Sequence, residues 1–294
     1  MRGKRVTFPG MAVPALLLAP QLAITIVFFV WPAFQSLRSA LFRQDAFGLG
    51  EEFVGLDNFT RLFGEPAYAT AFGLTLVFAL ATTVLCMALA LLFAALADSV
   101  VKGATIYKSL LTWPYAVAPA IAGVLWWFLF NPTIGLFARG LNALGIEWNH
   151  YLNGGQALTL VIIASAWKQV AYSFLFFLAG LQTIPKSLLE AASLDGAGSF
   201  TRFRVIVLPL LMPTTFFLAV TNLVYAFCDT FGVIHATTAG GPGTATTTLI
   251  YKIYQDGFEA LDLGSSAAQS VVLMALVGTL TLIQFRYIER NIHY

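Results

Sequence analysis

The chain has 294 residues, of which 59% are hydrophobic and only 10% are charged, and its mean hydropathy is +0.80. Soluble domains carry about 25% charged residues, so this composition excludes an ordinary soluble domain and predicts an integral membrane protein. The net charge of +2 is too small to indicate a nucleic acid as the partner.

Six apolar segments are long enough to cross a bilayer, which takes about 20 helical residues. We place them at about 14–35, 68–97, 104–130, 156–181, 203–228 and 266–285. Helices satisfy their own backbone hydrogen bonds in lipid, so we predict an all-α, polytopic membrane protein with six transmembrane helices. Pro114 and Pro119 fall inside the third segment and predict a kink or break there.

Basic residues are unequally divided between the two sides of the membrane. Six spans leave both termini on one side, which holds Arg2, Lys4, Arg5, Lys102, Lys108, Lys186, Arg202, Arg204, Arg286 and Arg290. The other side has only Arg38, Arg43, Arg61, Arg139 and Lys252. By the positive-inside rule, we expect a single domain over 14–287 between cytoplasmic tails, 1–13 and 288–294. The first span follows a short basic stretch but is long and lacks a clear cleavage site, so we interpret it as retained.

The loop between the fourth and fifth spans predicts a short surface helix at about 185–200. Pro185 suits a first helical turn, good helix formers follow it, and Gly196 can end the helix. The small Ala191 and Ala192 would fit a cleft of a partner protein, and the carboxylates of Glu190 and Asp195 would meet its basic groups. The alternative is an amphipathic helix that lies on the lipid surface.

Polar residues inside the apolar spans indicate where a solute would pass. In the fourth span, one helical face carries a stripe at i, i+3, i+4 and i+7, formed by Ser165, Lys168, Gln169 and Tyr172. The fifth span carries a weaker stripe, formed by Asn222, Tyr225 and Asp229 with the small Ala226. A lysine at membrane depth costs a few kcal/mol and normally faces a cavity or a partner. Lys168 therefore either pairs with Asp229 or a carbonyl and locks the bundle, or it faces a watery pathway and attracts an anion.

A pocket between these stripes would suit a small polyol phosphate. Lys168 would bind the phosphate, and the polar Gln169, Asn222 and Asp229 would bond hydroxyl groups. Tyr172 and Tyr225 would pack against the carbon skeleton, whereas Ala226 would only leave room.

No metal or cofactor site is predicted for this chain. Cys86 and Cys228 lie in different spans, and His150, His235 and His293 are scattered. The sequence also has no G-x-x-x-x-G-K-[ST] motif, so it has no phosphate-binding loop with which to hydrolyse ATP. We expect a subunit that is not an enzyme by itself, with any ATP and Mg bound by another polypeptide.

The loop around Glu190 has the spacing EAA-x3-G-x9-I-x-L-P and resembles the coupling motif of ABC importer permeases. The similarity continues over nearly the whole chain, in Val30–Ala33, Phe53–Phe59, Leu111–Pro119, Ala166–Gln169, Asn222–Phe227, Thr238–Pro242 and Thr246–Tyr254. These runs resemble the sugar and glycerol-phosphate permeases, a family that includes the maltose permease, and are most similar to those of sn-glycerol-3-phosphate importers.

The resemblance implies a type I ABC importer permease fold in the bacterial inner membrane. It implies a second homologous permease, an ATPase dimer holding ATP and Mg, and a periplasmic substrate-binding protein as partners, besides membrane lipid. The implied cargo is sn-glycerol 3-phosphate, with glycerophosphodiesters as a further candidate, moved by alternating access. The implied ATPase-coupling residues are Glu190, Ala191, Ala192, Asp195 and Gly196.

The resemblance also locates a substrate site. The maltose permease binds its sugar on the two helices flanking the coupling loop, and an ungapped alignment from Glu190 puts those contacts on the eight residues of the two stripes. The side chains differ at most of these positions, so only the location transfers, and the sibling permease could hold part or all of the phosphate.

Two other functions stay open at this point. One is a permease of a related sugar importer, whose substrate lacks phosphate. The other is an ion-coupled secondary transporter, which would more often show an inverted repeat and needs no coupling helix. A membrane scaffold or receptor would need neither polar stripe.

Overall fold

The computed structural model describes residues 12–44, 50–99 and 104–291, with side chains left undescribed at 12, 99, 104–105 and 287–291. Of the basic residues used above to predict orientation, Arg2, Lys4, Arg5 and Lys102 lie outside the described residues, as does His293, and only the backbone of Arg290 is described. The chain divides into two compact units, one formed by residues 1–64 with 255–272 and the other by 65–254 with 273–294.

The first unit contains an apolar helical segment, a small sheet and a short helix. Helix α1 (Ala12–Thr25) continues through a π-helical turn (Ile26–Val30) into α2 (Trp31–Ser39). Strands β1 (Phe42–Gln44) and β2 (Glu51–Phe53) pair antiparallel, with Phe42 opposite Phe53, and α3 (Asp57–Gly64) follows. A second π-helical turn (Gln255–Glu259) and the start of α15 (Leu263–Asn291) complete the unit.

Asn58 organises this unit from the first turn of α3. Its buried Nδ2 donates to the carbonyl oxygens of Ala40 and Phe42, at 2.9 Å each. Arg43 forms an ion pair with Asp57 at 2.6 Å. The run Phe53–Phe59, similar to a stretch of the sugar permeases, therefore leads from the end of β2 into α3, and Asn58 is its buried residue.

The second unit is built from helices. They are α4 (Pro66–Ser99), α5 (Ala104–Ala116), α6 (Pro119–Leu129), α7 (Leu136–Ala143), α8 (Gly154–Gln182), α9 (Lys186–Leu194), α10 (Ser199–Arg202), α11 (Leu208–Leu210), α12 (Met212–Cys228), α13 (Phe231–Thr237) and α14 (Leu249–Tyr254). A π-helical turn (Phe203–Val207) joins α10 to α11.

Helices suited to cross a membrane occur at all six predicted positions. Within the described residues four are single helical segments, at Val13–Ser39, Pro66–Asp98, Gly154–Gln182 and Leu263–Arg286. Two more are bent pairs, Ile106–Ala116 with Pro119–Leu129 and Ser199–Leu210 with Met212–Cys228. Counting each bent pair as one span gives six, as the sequence predicts.

Both bends occur next to prolines. The third span turns by 105° where Ala118, in an extended conformation, precedes Pro119, because the residue before a proline is disfavoured in the α conformation. The predicted break is therefore present, at Pro119 rather than at Pro114, which stays inside α5. The fifth span turns by 68° at Leu211, where α11 ends and α12 begins with Pro213 in its first turn.

The centre of this unit is the packing of α4 against α8. Small buried residues recur along one face of α4, at Cys86, Ala90 and Ala94, and contact a core that includes Phe174 and Phe177 of α8. Small side chains let helix backbones approach closely in a membrane, where the hydrophobic effect does not drive helix association. This packing fixes α8 relative to α4 and so positions the polar face of α8.

Candidate functional site

Part of each polar stripe opens onto one cavity of about 600 Å³. Five of the eight residues predicted from the sequence line it, namely Lys168, Gln169, Tyr172, Tyr225 and Asp229. The first three lie on α8 at a spacing that brings them to one helical face. The cavity therefore combines one ammonium, one carboxylate, an amide and two phenol rings, together with the further lining residues described below.

Lys168 is half-buried in the wall of this cavity. Its Nζ lies 5.9 Å from the centre of the Tyr115 ring, a cation–π contact. Asp229 is exposed in the same cavity, yet in the part of the chain that the structure describes the two residues form no ion pair. A cation–π contact contributes about 0.5–2 kcal/mol and does not neutralise the charge. The ammonium is thus left to attract an anion.

The two tyrosines of the stripes, Tyr172 and Tyr225, differ in the contacts that their side chains form. Tyr172 stacks on Tyr115, with ring centres 6.3 Å apart and planes inclined by 23°. Tyr225 is buried, and its hydroxyl donates to the carbonyl oxygen of Ser165 at 3.2 Å. Tyr225 therefore ties α12 to α8 and offers the cavity mainly its ring.

Asn222 does not line the cavity, because its amide is engaged between helices. Its Nδ2 donates to Ser173 Oγ at 2.9 Å and to the carbonyl oxygen of Leu218 at 2.8 Å, and its Oδ1 accepts from Cys86 Sγ at 3.3 Å. All three side chains of this network are buried. The network joins α4, α8 and α12 in this structure, and binding of a substrate hydroxyl by Asn222 stays a prediction.

Ser165 and Ala226 are also fully buried and lie outside the cavity lining. The carbonyl of Ala226 accepts from Thr230 Oγ1 at 3.1 Å, which closes the turn after α12. These two positions, like Asn222, belong to helix packing in this structure.

On α12, the face that lines the cavity is rotated by about one residue from the stripe that the sequence predicts. Besides Asp229, which follows the helix, the cavity is lined at i, i+3, i+4 and i+7 of α12 by Thr221, Val224, Tyr225 and Cys228. One residue corresponds to about 100° around an α-helix, so a shift from Asn222 to Thr221 turns the face substantially. The hydroxyl of Thr221 donates to the carbonyl of Phe217 at 2.9 Å, so its oxygen remains able to accept a hydrogen bond.

The predicted coupling helix is present as α9, which ends at Leu194. Gly196 has φ of +82°, its N–H donates to the carbonyl of Ser193, and the N–H of Ala197 donates to that of Ala192. These two bonds form a Schellman motif, whose left-handed residue is usually glycine. The helix is shorter than the expected 185–200 because this motif stops it, and α10 starts separately at Ser199.

The outward side chains of α9 are largely exposed. Glu190, Ala191 and Asp195 are exposed, and Ala192 is half-buried. Leu194, at the end of the helix, is 89% exposed. Behind the helix, a cavity of about 570 Å³ is lined by residues that include Glu190, Lys186 and Asp98.

A family model described as the inner membrane component of binding-protein-dependent transport systems matches residues 3–294. The chain belongs to this family. It is therefore a multi-pass inner-membrane protein. The prediction from the coupling motif, an ABC importer permease, is confirmed.

Relatives of this permease match it from end to end. The sn-glycerol-3-phosphate transport system permease protein UgpA of Brucella abortus is 56% identical over 291 residues, which are 99% of each chain. UgpA of Escherichia coli strain UTI89 is 55% identical over 294 residues, which are 100% of each chain.

Solved structures show the same fold. A bacterial ABC transporter that imports the acidic polysaccharide alginate has a chain with a TM-score of 0.80, 20% identity and 96% coverage of both chains. The alginate transporter in complex with a pentasaccharide-bound periplasmic protein gives a TM-score of 0.79 at 19% identity, with 92% coverage of both. The predicted type I importer permease fold is thus confirmed.

Side-chain hydrogen bonds hold the loop around Gly240 in this permease. Thr238 Oγ1 lies 2.7 Å from Thr246 Oγ1, Thr246 Oγ1 donates to Gly241 O at 3.0 Å, and Thr247 Oγ1 donates to Gly240 O at 3.1 Å. Gly240 has φ of +82°, and a Cβ there would lie 2.6 Å from the Tyr251 ring. These contacts fix the shape of the loop, and its tip, at Gly243, is exposed.

Proposed function

We propose that this permease moves sn-glycerol 3-phosphate across the inner membrane as one subunit of an ATP-binding-cassette importer. The observation that carries the proposal is the identity of 56% to a permease of sn-glycerol-3-phosphate transport over 99% of both chains. Glycerophosphodiesters are a further candidate cargo, since they share the phosphate and the glycerol hydroxyls.

The cavity chemistry supports a small phosphate ester. A phosphate monoester carries about −1.5 to −2 charges at pH 7, and Lys168 supplies a cation that no carboxylate of the described residues pairs with. Gln169, Thr221 and Asp229 line the same cavity and would bond hydroxyls, and Tyr172 would give an apolar wall. A volume of about 600 Å³ lies in the range of small-molecule sites and leaves space for water.

Energy for transport has to come from another subunit. This chain has no phosphate-binding loop, so in our proposal ATP and Mg bind to an ATPase dimer, and the permease is not an enzyme by itself. The exposed face of α9 would dock into that ATPase, with Glu190 and Asp195 meeting basic groups. A second homologous permease and a periplasmic binding protein complete the assembly.

Transport would then proceed by alternating access. Closure of the ATPase dimer moves α9, which is joined to α8 through Thr183–Pro185 and to α12 through α10 and α11. The two helices that carry the cavity thereby rock, and the cavity opens outward and then inward. We place α9 and both termini in the cytoplasm, following the positive-inside rule.

Reconstitution of the complete importer in proteoliposomes tests this function. We expect uptake of sn-glycerol 3-phosphate in preference to glycerol or maltose, and only with ATP on the side of the ATPase. Preference for an unphosphorylated sugar would favour the sugar permease instead. Uptake driven by an ion gradient without ATP, or by this chain alone, would contradict the importer.

The coupling role has its own test. Glu190→Lys should leave the permease in the membrane but lower the amount of solute moved per ATP. Ser187→Lys adds a cation to the same exposed helix and serves as the matched control. Equal coupling in wild type and Glu190→Lys would remove Glu190 from the ATPase contact.

A further inference from the structure

Tyr115 lines the substrate cavity although it lies on neither polar stripe. It belongs to the last turn of α5, which a hydrogen bond from Val117 N to Pro114 O closes at 3.2 Å. The chain then becomes extended at Ala118 and turns by 105° into α6. The break in the third span therefore places this ring in the cavity wall.

The Tyr115 ring is held from the side of α8. Its stacking partner Tyr172 lies 4.8 Å from Phe176, and Phe176 lies 5.2 Å from Phe217 of α12. A row of four aromatic rings thus runs from α5 over α8 to α12. The row fixes the position of Tyr115 relative to Lys168, whose Nζ lies over the ring at 5.9 Å.

The nature of this contact matters for a site that binds an anion. A carboxylate beside Lys168 would orient the ammonium but would also neutralise it and repel a phosphate. The face of an aromatic ring attracts a cation through its quadrupole and carries no net charge. Tyr115 can therefore hold the ammonium in place without forming an ion pair with it.

We propose that Tyr115 is a positioning residue of the substrate site, which orients Lys168 for the phosphate of an anionic substrate. This inference rests on the proposed function, in which Lys168 binds the phosphate. Because the break in the third span places Tyr115 in the cavity wall, this span would also influence the affinity of the cavity for anions. Tyr115 acts through Lys168, so its effect should vanish when the ammonium is absent.

A direct binding assay measures this effect best. In an uptake assay the periplasmic binding protein would become saturated with substrate first and would mask the affinity of the cavity itself. Equilibrium binding of radiolabelled sn-glycerol 3-phosphate is measured on the purified importer without its binding protein. Tyr115→Leu should raise the Kd up to about fivefold, the range of a cation–π contact at an exposed ring, since Tyr115 is 58% exposed. Tyr115→Phe keeps the ring face and should bind within about twofold of wild type.

Two controls separate positioning from general damage. Trp113→Leu removes an exposed ring from the same end of α5, one that contacts Trp167 and not Lys168, and should leave the Kd unchanged. Tyr115→Leu is also made in a Lys168→Met background, where we expect no further increase in Kd. Membrane abundance and thermal unfolding of each variant are recorded beside binding.

The outcomes distinguish this inference from the proposed function. If Lys168→Met weakens binding and Tyr115→Leu does not, the positioning role of Tyr115 is wrong and the phosphate site stands. An equal effect of Tyr115→Leu with and without Lys168 also overturns it, because the ring would then act on its own. If neither variant changes the Kd although the radiolabelled substrate still binds, Lys168 does not bind the phosphate and the inference about Tyr115 fails, whereas import of sn-glycerol 3-phosphate stands.

Discussion

The cap of α9 offers a test in which only the backbone conformation changes. Gly196 has φ of +82° and Gly198 has φ of −65°, and a Cβ added at either residue would meet no atom within 4 Å. Alanine costs roughly 1–2 kcal/mol in the left-handed region and nothing comparable in the extended one. Gly196→Ala should therefore lower the capped population, and with it the docking affinity of α9, by up to about thirtyfold.

The assay compares three variants in the reconstituted importer. We measure the affinity of the permease pair for the ATPase and the solute moved per ATP, and both should fall in Gly196→Ala but not in Gly198→Ala. Gly196→Asn should lie between them, because asparagine tolerates the left-handed region better than alanine. Equal behaviour of Gly196→Ala and Gly198→Ala would refute the reasoning that the cap geometry serves docking.

Three further outcomes are expected. Lys168→Met should weaken sn-glycerol 3-phosphate binding about tenfold or more, since a hydrogen bond to a charged group contributes about 1.5–3 kcal/mol, whereas Lys108→Met, outside the cavity lining, should not. Asn222→Leu should lower the Tm of the purified protein, because it removes the hydrogen bonds that the amide forms with Ser173 and Cys86, each of which contributes about 0.5–1.5 kcal/mol; an unchanged Tm would mean that these bonds add no stability. Burial lowers the pKa of His150, in the loop before α8, so the unfolded state takes up a proton first as pH falls below about 6.5, and stability should decrease from there until the folded state also protonates. Melting from pH 8 to 5 should show a weaker pH dependence in His150→Phe, and identical curves would contradict this assignment.

The spans could be predicted from the sequence because each is a long apolar segment, and the break at Pro119 because proline disfavours the α conformation in the residue before it. The bend at Leu211 was not predicted, although Pro209 and Pro213 flank it. The end of α9 was placed too late, since sequence alone does not tell which of Gly196 and Gly198 adopts positive φ.

The cavity was predicted well on α8 and less well on α12. The spacing of Lys168, Gln169 and Tyr172 defines a face by itself, and that face lines the cavity. On α12 the rotation depends on which partner Asn222 finds, and Ser173 and Cys86 lie too far away in sequence to be known in advance. Tyr115 was missed because it reaches the cavity only through the geometry of the broken third span. Binding by any of these residues stays a prediction.

The alanine face of α4 has a consequence for how this permease can move. Alanine has no side-chain rotamers to rearrange, so the contact of Ala90 and Ala94 with α8 offers few alternative packings. We expect α4 and α8 to travel through a transport cycle as one stiff block. The conformational change of transport would then occur at the two bends next to prolines, at Ala118 and Leu211, which would act as hinges.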